Sequence, residues 1–419
     1  MAKCVILIFV LLGDLAMAGL TAPTDVETTG TLPKGIISPR YRQYVTTINE
    51  RFGENGTVAP VAQAINQKIS WGQVLTNLNQ PEDAYMKSKL DASLKAMGYN
   101  TKTGLAGAIS ADVKVGVDIK TPLIGYGIND TTSVALIVPV YTVNTSVASS
   151  FVASAESMNW YNSQTSAQAK QAFKQQLEGV LTSTLNSMGY DPLASEEFTA
   201  IGDIYFVLKQ QIYEDERHSV LWKNYIIAPT GIAPNPDKIV DVPTGDGQWD
   251  YQTGFVYQFD SIIPASTIPI SYALNATYQY QVADHIEKRI PVEEGSILSP
   301  NKENVRRKLG DVIWLGGGLE VGKSGDGSVF GVSYDYQYAY ANQYAGTAFD
   351  RQNYNWLENL EGDSEMTSAT FKYSYSTIGA FRRKKFKVPA TFLLTYGMPI
   401  SGRNANKSDI YYGEAIFYF

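Results

Sequence analysis

Alternation between apolar and polar positions runs through much of the chain and predicts β-strands. At the carboxy-terminus, Tyr411, Gly413, Ala415, Phe417 and Phe419 occupy every second position, and Glu414 falls among the intervening residues. Successive side chains of a strand point to opposite faces, so this period of two puts one face of the last strand in an apolar medium. A soluble protein ending in an edge strand is the alternative, although so aromatic an exposed edge promotes aggregation.

The same alternation recurs in several internal segments. In residues 270–280 the even positions are apolar or aromatic and the odd positions are mostly polar, and residues 333–340 and 371–376 repeat the pattern with tyrosine and phenylalanine. A charged side chain at the centre of a bilayer costs about 2–4 kcal/mol. We therefore expect the aromatic rows to face lipid and the polar rows to face a lumen.

The connections between these segments alternate between short and long. About twelve segments have the roughly nine to eleven residues that a tilted membrane strand needs. This predicts an all-β fold, a transmembrane antiparallel β-barrel of about 12 strands with helical extracellular insertions at about 53–107 and 144–199. The short turns, expected on the periplasmic side, centre on Ile128, Asp215, Ala265, Gly325 and Lys384.

Each of the two insertions contains one predicted helix, over residues 81–97 and 166–188. Residues 90–99 resemble residues 181–190, and in both copies a Leu, Leu, Met stripe is followed by Gly, a residue expected just past a helix end. The stripes either pack together as a cap over the barrel mouth or line an apolar groove for a ligand. The residues of that second interpretation are Met97, Tyr99, Met188 and Tyr190.

The amino-terminus predicts a secretory signal peptide over residues 1–18. Lys3 precedes an apolar run, and Ala16-Met17-Ala18 supplies an A-x-A cleavage site, so we expect cleavage near Ala18. The only cysteine, Cys4, lies in this peptide, which leaves the mature chain without thiol chemistry. Residues 19–33 are then expected to form a periplasmic segment, and residues 34–419 the barrel in the Gram-negative outer membrane.

Composition narrows the class of partner. The chain has 419 residues, 28 of them Tyr, and a net charge of −7. Net acidity argues against nucleic acid, and tyrosine suits the interfacial girdles of a barrel. The expected partners are outer-membrane lipid and lipopolysaccharide, a small-molecule solute, and the barrel-assembly machinery, whose signal the terminal Phe419 resembles.

Ten charged residues are predicted to point into the lumen. They either form a ladder of compensating charges that fills the barrel or line a charged constriction that selects solutes. Twelve strands lie between the eight that side chains fill and the sixteen that leave an open channel, so a narrow or plugged path is expected. The ten are Arg40, Arg42, Asp112, Lys114, Asp118, Lys120, Asp203, Lys209, Asp335 and Lys372.

Pro139 interrupts a predicted strand. Proline cannot donate a hydrogen bond to the strand ladder, so a bulge or kink is expected near residues 138–140. The kink is either a local irregularity or a lateral opening through which an apolar solute leaves the lumen.

The sequence predicts neither an enzyme nor a cofactor. Its two histidines, His218 and His285, are far apart in sequence, which disfavours a histidine metal site, and no metal site is expected. A hydrolase would need a Ser–His pair such as Ser271 with His285, and no spacing recommends that pair.

Four short motifs resemble landmarks of one family, in the family's order. They are Tyr126-Gly-Ile-Asn-Asp130, Val138-Pro-Val140, Ile201-Gly-Asp203 and Pro243-Thr-Gly-Asp-Gly-Gln-Trp-Asp250. On these motifs the chain resembles the meta-pathway phenol-degradation outer-membrane family, which is similar in plan to the long-chain fatty-acid transporter barrels.

That resemblance implies passive transport of a small hydrophobic or aromatic solute, without an enzymatic step. The alternative function is a structural or surface-interaction barrel without an open pore, in which the aromatic loop at residues 341–365 meets a partner.

Overall fold

The computed structural model describes residues 28–419 apart from 65, 67, 79–83, 165, 168–169, 172–178, 180–181, 184, 263–268, 297 and 323–324. The predicted signal peptide therefore lies outside the described residues, as does most of the predicted helix at 166–188.

Strands dominate the described part of the chain. In chain order they are β1 (Ile37–Ile48), β2 (Glu50–Phe52), β3 (Val58–Pro60), β4 (Lys68–Ser70), β5 (Leu105–Asn129), β6 (Thr132–Ile137), β7 (Val140–Ala153), β8 (Glu196–Ile201), β9 (Ile204–Glu214), β10 (His218–Ala228), β11 (Asp250–Ile262), β12 (Pro269–Gln281), β13 (Asp284–Arg289), β14 (Lys302–Lys308), β15 (Val312–Val321), β16 (Gly327–Ala339), β17 (Gln343–Ala345), β18 (Ser364–Ser376), β19 (Ala390–Arg403), β20 (Ala405–Lys407) and β21 (Ile410–Phe417).

The described helices are short. They are α1 (Trp71–Asn77), α2 (Ala84–Ala96), α3 (Ala155–Ser163), α4 (Arg351–Glu361) and α5 (Ile378–Arg382), with a 3₁₀ turn at Val61–Ala64. The second of these confirms the predicted helix at 81–97. In the part of the chain that the structure describes, no helix has the length and apolar character needed to cross a membrane.

The main sheet closes into an antiparallel barrel of twelve strands, as predicted. Strand β1 pairs with β21 on one side and with β5 on the other, which joins the first and last strands of the wall. Two wall strands are interrupted: β6 and β7 together form the third strand, and β8 and β9 the fourth. The final strand is fixed at its end by the reciprocal backbone bonds of Ile37 and Phe419, at 2.8 and 2.9 Å.

The face assignment made from the aromatic rows is confirmed along β12, β16 and β18. Leu274, Tyr334 and Phe371 are exposed on the outer wall, at 61%, 59% and 47%. Their neighbours Ser333 and Thr370 point inward and are buried. The outer wall of the barrel is thus apolar and aromatic, as contact with lipid requires.

The two ends of the barrel differ. One, here called the turn end, carries the short turns around residues 130, 216 and 325, together with Ile37 and Phe419. The opposite end, here called the loop end, carries the long connections. The topology matches the predicted alternation of short and long loops.

Strand β5 extends well past the barrel at the loop end. Its 25 residues would span about 80 Å at about 3.3 Å per residue, whereas a membrane strand needs about ten residues. Its inward residues Val113, Val115 and Val117 pack against α1 and α2 in one apolar core, which also contains Trp71 and Leu94. This core, here called the cap, fills the loop-end part of the lumen beside β5 and β7.

Two connections form a compact layer at the loop end, and one of them is the predicted aromatic loop at residues 341–365. The charged segment 284–304 contributes β13, which pairs with β14, and β14 pairs with β17. Helix α4 covers this sheet, and the aromatic side chains of the 341–365 segment turn into it: Tyr344 and Tyr354 are each only 2% exposed.

Candidate functional site

The barrel encloses a cavity of about 1100 Å³ towards its turn end. No described residue between Arg42 and Leu123 lines it, so the cap lies outside it and the inner faces of the wall strands form most of its surface. Ligand pockets are commonly about 300–1,000 Å³, so the space is sufficient for a small molecule.

The first described residues form part of the cavity lining. Residues 30–33 line it, and the Thr29 side chain lies inside the barrel, 2.5 Å from the Ser219 hydroxyl. The Thr29 backbone N–H also donates to Gln258 Oε1 at 3.1 Å. The structure therefore places residues 28–33, which were expected to lie in the periplasm, across the turn end of the lumen.

Five of the ten predicted lumen residues line this cavity: Arg40, Arg42, Lys209, Asp335 and Lys372. Two of them form ion pairs across neighbouring or nearby strands. Arg42 donates to Glu414 at 2.9 Å, and Lys372 donates to Glu320 at 2.7 Å. In both pairs the acidic partner, Glu414 or Glu320, is a residue outside the predicted ten.

Four other predicted lumen residues face the opposite way, which corrects the sequence-based assignment. Asp112, Lys114, Asp118 and Lys120 lie on the outward face of β5, where Asp118 accepts from Gln43 at 3.0 Å. The physical reason is the position of these residues along β5. This part of the strand adjoins the cap, so its apolar side chains pack inward against the cap and its polar side chains point outward.

Asp203 also lies outside the cavity. It follows β8 at a gap in the fourth wall strand, is 9% exposed, and accepts backbone N–H groups from Gly231 at 2.9 Å and Asp246 at 3.3 Å. Its carboxylate holds the loop at residues 229–249 against the wall. The prediction that Asp203 points into the lumen is therefore wrong, and its role is to anchor this loop.

The strand break predicted at Pro139 is present. Ile137 pairs with Tyr205, and Val140 pairs with Ile201. The partner strand therefore has one more residue between these two pairs than the strand that contains Pro139. The gap is bridged by Gly202 N–H donating to Pro139 O at 2.8 Å. The 229–249 loop covers it through the Thr230 hydroxyl, which donates to Gly202 O at 2.8 Å.

The four residues of the predicted apolar groove do not line the cavity. Met97 and Tyr99 pack against the cap core. The Tyr190 hydroxyl accepts from Ser299 N–H at 3.1 Å, and its ring lies 3.7 Å from the Arg289 guanidinium. Gly98 and Gly189 have φ of +78° and +75°, which confirms the predicted helix ends.

Arg289 joins three loops at the loop end, and sequence reasoning missed it. Its guanidinium donates five hydrogen bonds, which is all that the group can give. The acceptors, at 2.6–2.8 Å, are the carbonyls of Met188, Gly189, Pro236 and Ser299 and the carboxylate of Asp237. A lone arginine in a charged segment carries no pattern that indicates this role.

Lys223 was also missed, although the sequence contained a signal for it. It shares a strand face with Leu221 and Tyr225, and the alternate face of the same strand holds Trp222 and Ile226. An apolar strand with one lysine indicates that lysine as an inward residue. The structure places Lys223 on the cavity wall, 4% exposed and directly opposite Lys209.

The candidate Ser271–His285 pair is not brought together in the described part of the chain. Ser271 lies near the turn end of β12, and His285 lies on β13 at the loop end. His218 Nδ1 lies 2.7 Å from the Tyr257 hydroxyl on the outer wall. Among the described residues, no group of three or more His, Cys, Asp or Glu side chains is arranged to hold a metal ion.

Comparison with solved structures supports the barrel. An outer-membrane channel from Pseudomonas putida F1 aligns with 95% of this chain and 100% of its own, at 11% identity and a TM-score of 0.52. The translocator domain of the autotransporter NalP from Neisseria meningitidis (10% identity, 93% and 91% covered) has a TM-score of 0.34, and the Ralstonia pickettii toluene transporter TbuX (11%, 93% and 90%) has one of 0.32.

The first of these likenesses shows the fold, and the other two are too loose to add to it. No protein-family profile and no curated protein sequence matches the chain. The resemblance to the phenol-degradation family is therefore not confirmed. The molecule has the fold of a Gram-negative outer-membrane β-barrel.

Proposed function

We propose that this barrel conducts a small hydrophobic or aromatic solute passively across the outer membrane. The observation that carries the proposal is the cavity of about 1100 Å³ inside the wall, which combines apolar side chains such as Leu123 and Val207 with charged ones. The similar fold of the outer-membrane channel from Pseudomonas putida F1 supports the same proposal.

The cellular setting belongs to the same proposal. A signal peptide removed near Ala18 would direct the chain to the periplasm, where the assembly machinery would recognise Phe419 before insertion among lipid and lipopolysaccharide. The four short motifs support membership of the phenol-degradation family. No catalytic step is part of the proposal.

Electrical recording in planar bilayers with a lipopolysaccharide outer leaflet tests conduction. We expect discrete openings that phenol, a neutral aromatic solute, reduces in a concentration-dependent way. Heat-unfolded protein is the control. A folded barrel that inserts but shows no openings and no response to phenol would contradict the proposal.

A lateral exit at Pro139 is one route out of the lumen. Its support is the break between β6 and β7, which the 229–249 loop covers. Pro139→Val is expected to restore pairing and lower uptake of an apolar solute, whereas Pro399→Val, at a second irregular register in β19, should leave it unchanged. Equal uptake by both variants would exclude this route.

A surface-interaction role is the second candidate. The observation in its favour is the rigid layer at the loop end, where one buried arginine ties three loops together. The aromatic loop at 341–365 is a poor docking surface, because Tyr344 and Tyr354 are buried in that layer. A sealed barrel in the bilayer experiment would favour this role.

A further inference from the structure

The connection between β18 and β19, here called the basic turn, carries a concentrated positive charge at the turn end. Residues 377–389 contain five basic side chains and no acidic one, although the whole chain has a net charge of −7. The other turns that the structure describes at this end are acidic: residues 129–131 and 325–327 each carry one aspartate, and residues 214–217 carry three acidic side chains and one arginine. The five basic residues are Arg382, Arg383, Lys384, Lys385 and Lys387.

The basic turn is attached to its neighbour, the turn between β15 and β16. The Gly379 N–H at the start of α5 donates to Gly325 O at 2.8 Å. The Arg383 guanidinium forms two parallel hydrogen bonds with the two carboxylate oxygens of Asp326, each at 2.8 Å. Such bidentate pairs fix geometry as well as adding energy. The fold therefore holds the basic turn in place before any ligand binds.

Lys384 occupies a backbone position that favours glycine. Its φ is +57°, and its N–H donates to Phe381 O while the Lys385 N–H donates to Ala380 O, both at 2.8 Å. These two bonds form the Schellman motif that closes a helix, in which the left-handed residue is usually glycine. A residue with a Cβ is less stable there than glycine. Strain of this kind concentrates at functional sites, and lysine supplies a positive charge that glycine lacks.

Four of the five basic side chains have no counter-charge. Arg383 pairs with Asp326, whereas the other four are exposed and have no ion-pair or hydrogen-bond partner in the part of the chain that the structure describes. Cations also stabilise a helix C-terminus by interacting with its carbonyls. That role does not require four of them here, because α5 has only five residues and the Schellman bonds already occupy the carbonyls of Ala380 and Phe381.

Aromatic side chains place the basic turn at the edge of the membrane. Within the turn, Phe381 and Phe386 are 42% and 51% exposed. The wall strands on either side carry Tyr375 and Phe392 on the outer face at the same end, at 46% and 45%. Rows of exposed aromatic residues mark the interface between acyl chains and headgroups. The unpaired cations therefore lie at the level of the lipid headgroups, where clusters of Lys and Arg attract anionic lipid.

We propose that the basic turn binds the phosphate of an anionic phospholipid in the leaflet at the turn end. Arg382, Lys384, Lys385 and Lys387 supply the charge, and Phe386 packs against the acyl chains. Because this end is predicted to be periplasmic, the lipid is a phospholipid such as phosphatidylglycerol rather than lipopolysaccharide. The inference goes beyond the proposed transport function and does not depend on it.

Native mass spectrometry of the folded, detergent-solubilised barrel tests this proposal. Three probes separate its parts: phosphatidylglycerol has net charge and acyl chains, phosphatidylethanolamine with the same chains has no net charge, and glycerol phosphate has the charge without chains. We expect phosphatidylglycerol to bind at least tenfold more tightly than either of the others. Equally tight binding of phosphatidylethanolamine would show that charge plays no part, and equally tight binding of glycerol phosphate would indicate a site for free phosphate. Either result would overturn the proposal.

Substitutions that remove the same charge at two places locate the site. Replacing all four unpaired basic residues of the turn by Gln should weaken phosphatidylglycerol binding at least tenfold. The matched control replaces four exposed lysines at the loop end and should leave binding unchanged. Heat-modifiable gel migration verifies that both variants are folded. Unchanged binding in the turn variant, or equal weakening in the control, would refute the assignment. The control lysines are Lys68, Lys89, Lys102 and Lys114.

A single substitution separates lipid binding from the stability of the turn. Lys384→Gly relieves the backbone strain, so the Lys385 amide should exchange its hydrogen more slowly, while phosphatidylglycerol binding should weaken about threefold. Lys384→Arg keeps the charge and should bind the lipid within about twofold of the original chain. Binding by the glycine variant as tight as that of the original chain would refute the role assigned to Lys384.

Discussion

Two parts of the wall use the same alternation with opposite faces. In β12, residues 270–280 turn tyrosine and leucine outward and Asn275 and Thr277 inward. In β5, residues 111–120 turn valine inward and Asp112 and Lys114 outward. Alternation therefore shows that a strand has two different faces, but not what each face contacts. The apolar face of β12 points outward to lipid, whereas the apolar face of β5 points inward to the cap.

The largest expected loss of stability comes from a substitution in the cap, which packs against the inner face of β5. Trp71 is 0% exposed, and its indole N–H donates to Glu156 at 2.8 Å. Trp71→Ala should therefore destabilise the cap by about 3–5 kcal/mol, the usual cost of deleting a buried aromatic side chain. The rate of limited proteolysis at the loop end measures this destabilisation of the cap.

The control is Tyr85→Ala, an aromatic truncation in the same cap at a side chain that is 75% exposed. The barrel should stay heat-modifiable in both variants because its wall does not depend on the cap. Equal proteolysis of the two variants would show that the valine face of β5 is not held by this core.

A second substitution separates the loop-end layer from the wall. Arg289→Lys keeps the charge but cannot replace five hydrogen bonds, so buried carbonyls lose their partners and the layer should weaken by about 3 kcal/mol. Hydrogen exchange in residues 236–238 is the measurement. Arg383→Lys, at an exposed ion pair with Asp326 at the turn end, is the control and should leave the hydrogen exchange of residues 236–238 unchanged.

A lysine scan addresses the face assignment directly. Leu274→Lys places a charge on the outer wall near the centre of β12 and should cost about 2–4 kcal/mol. Ala148→Lys places the same charge on the outer face of β7, opposite Asp112 on the extended part of β5, and should change stability by less than about 0.5 kcal/mol. Urea unfolding of barrels in lipid vesicles measures both, and equal costs would place both sites in the membrane.

Most of the fold could be predicted because it depends on local patterns. Period-two rows, turn residues and loop lengths specify about twelve strands and their direction, and Pro139 marks the break between β6 and β7. Within the cavity the same patterns predict Arg40, Arg42, Lys209, Asp335 and Lys372.

The remaining errors arise where residues distant in sequence decide the environment. The lumen assignment of Asp112, Lys114, Asp118 and Lys120 was wrong because α1 and α2, from the insertion that precedes β5, cover the opposite face of that strand. Arg289 acts through backbone carbonyls that any residue supplies, so sequence carries no trace of them. Lys223 could have been found from its apolar neighbours on both faces of β10.

The smallest expected effect is a pH-dependent change in the stability of the loop at residues 229–249, which covers the break in the wall. Burial raises the pKa of Asp246 to about 6, and the nearby Asp203 carboxylate adds to the shift. The folded loop therefore binds a proton more tightly than the unfolded chain, whose carboxyl titrates near 3.8. The loop gains stability as the pH falls from about 6 towards 4, and it is least stable above pH 6.

Asp246→Asn removes that buried charge and should stabilise the closed loop at pH 7.5 by about 1–2 kcal/mol, with little change at pH 4. Asp237 in the same loop gives the opposite sign: burial alone would raise its pKa, but hydrogen bonds from Lys302 and Arg289 lower it. Asp237→Asn should thus loosen the loop at pH 7.5. Hydrogen exchange of the loop amides at pH 7.5, corrected for intrinsic rates, distinguishes the two variants. If both substitutions slow exchange, or both speed it up, the opposite roles assigned to Asp246 and Asp237 are wrong.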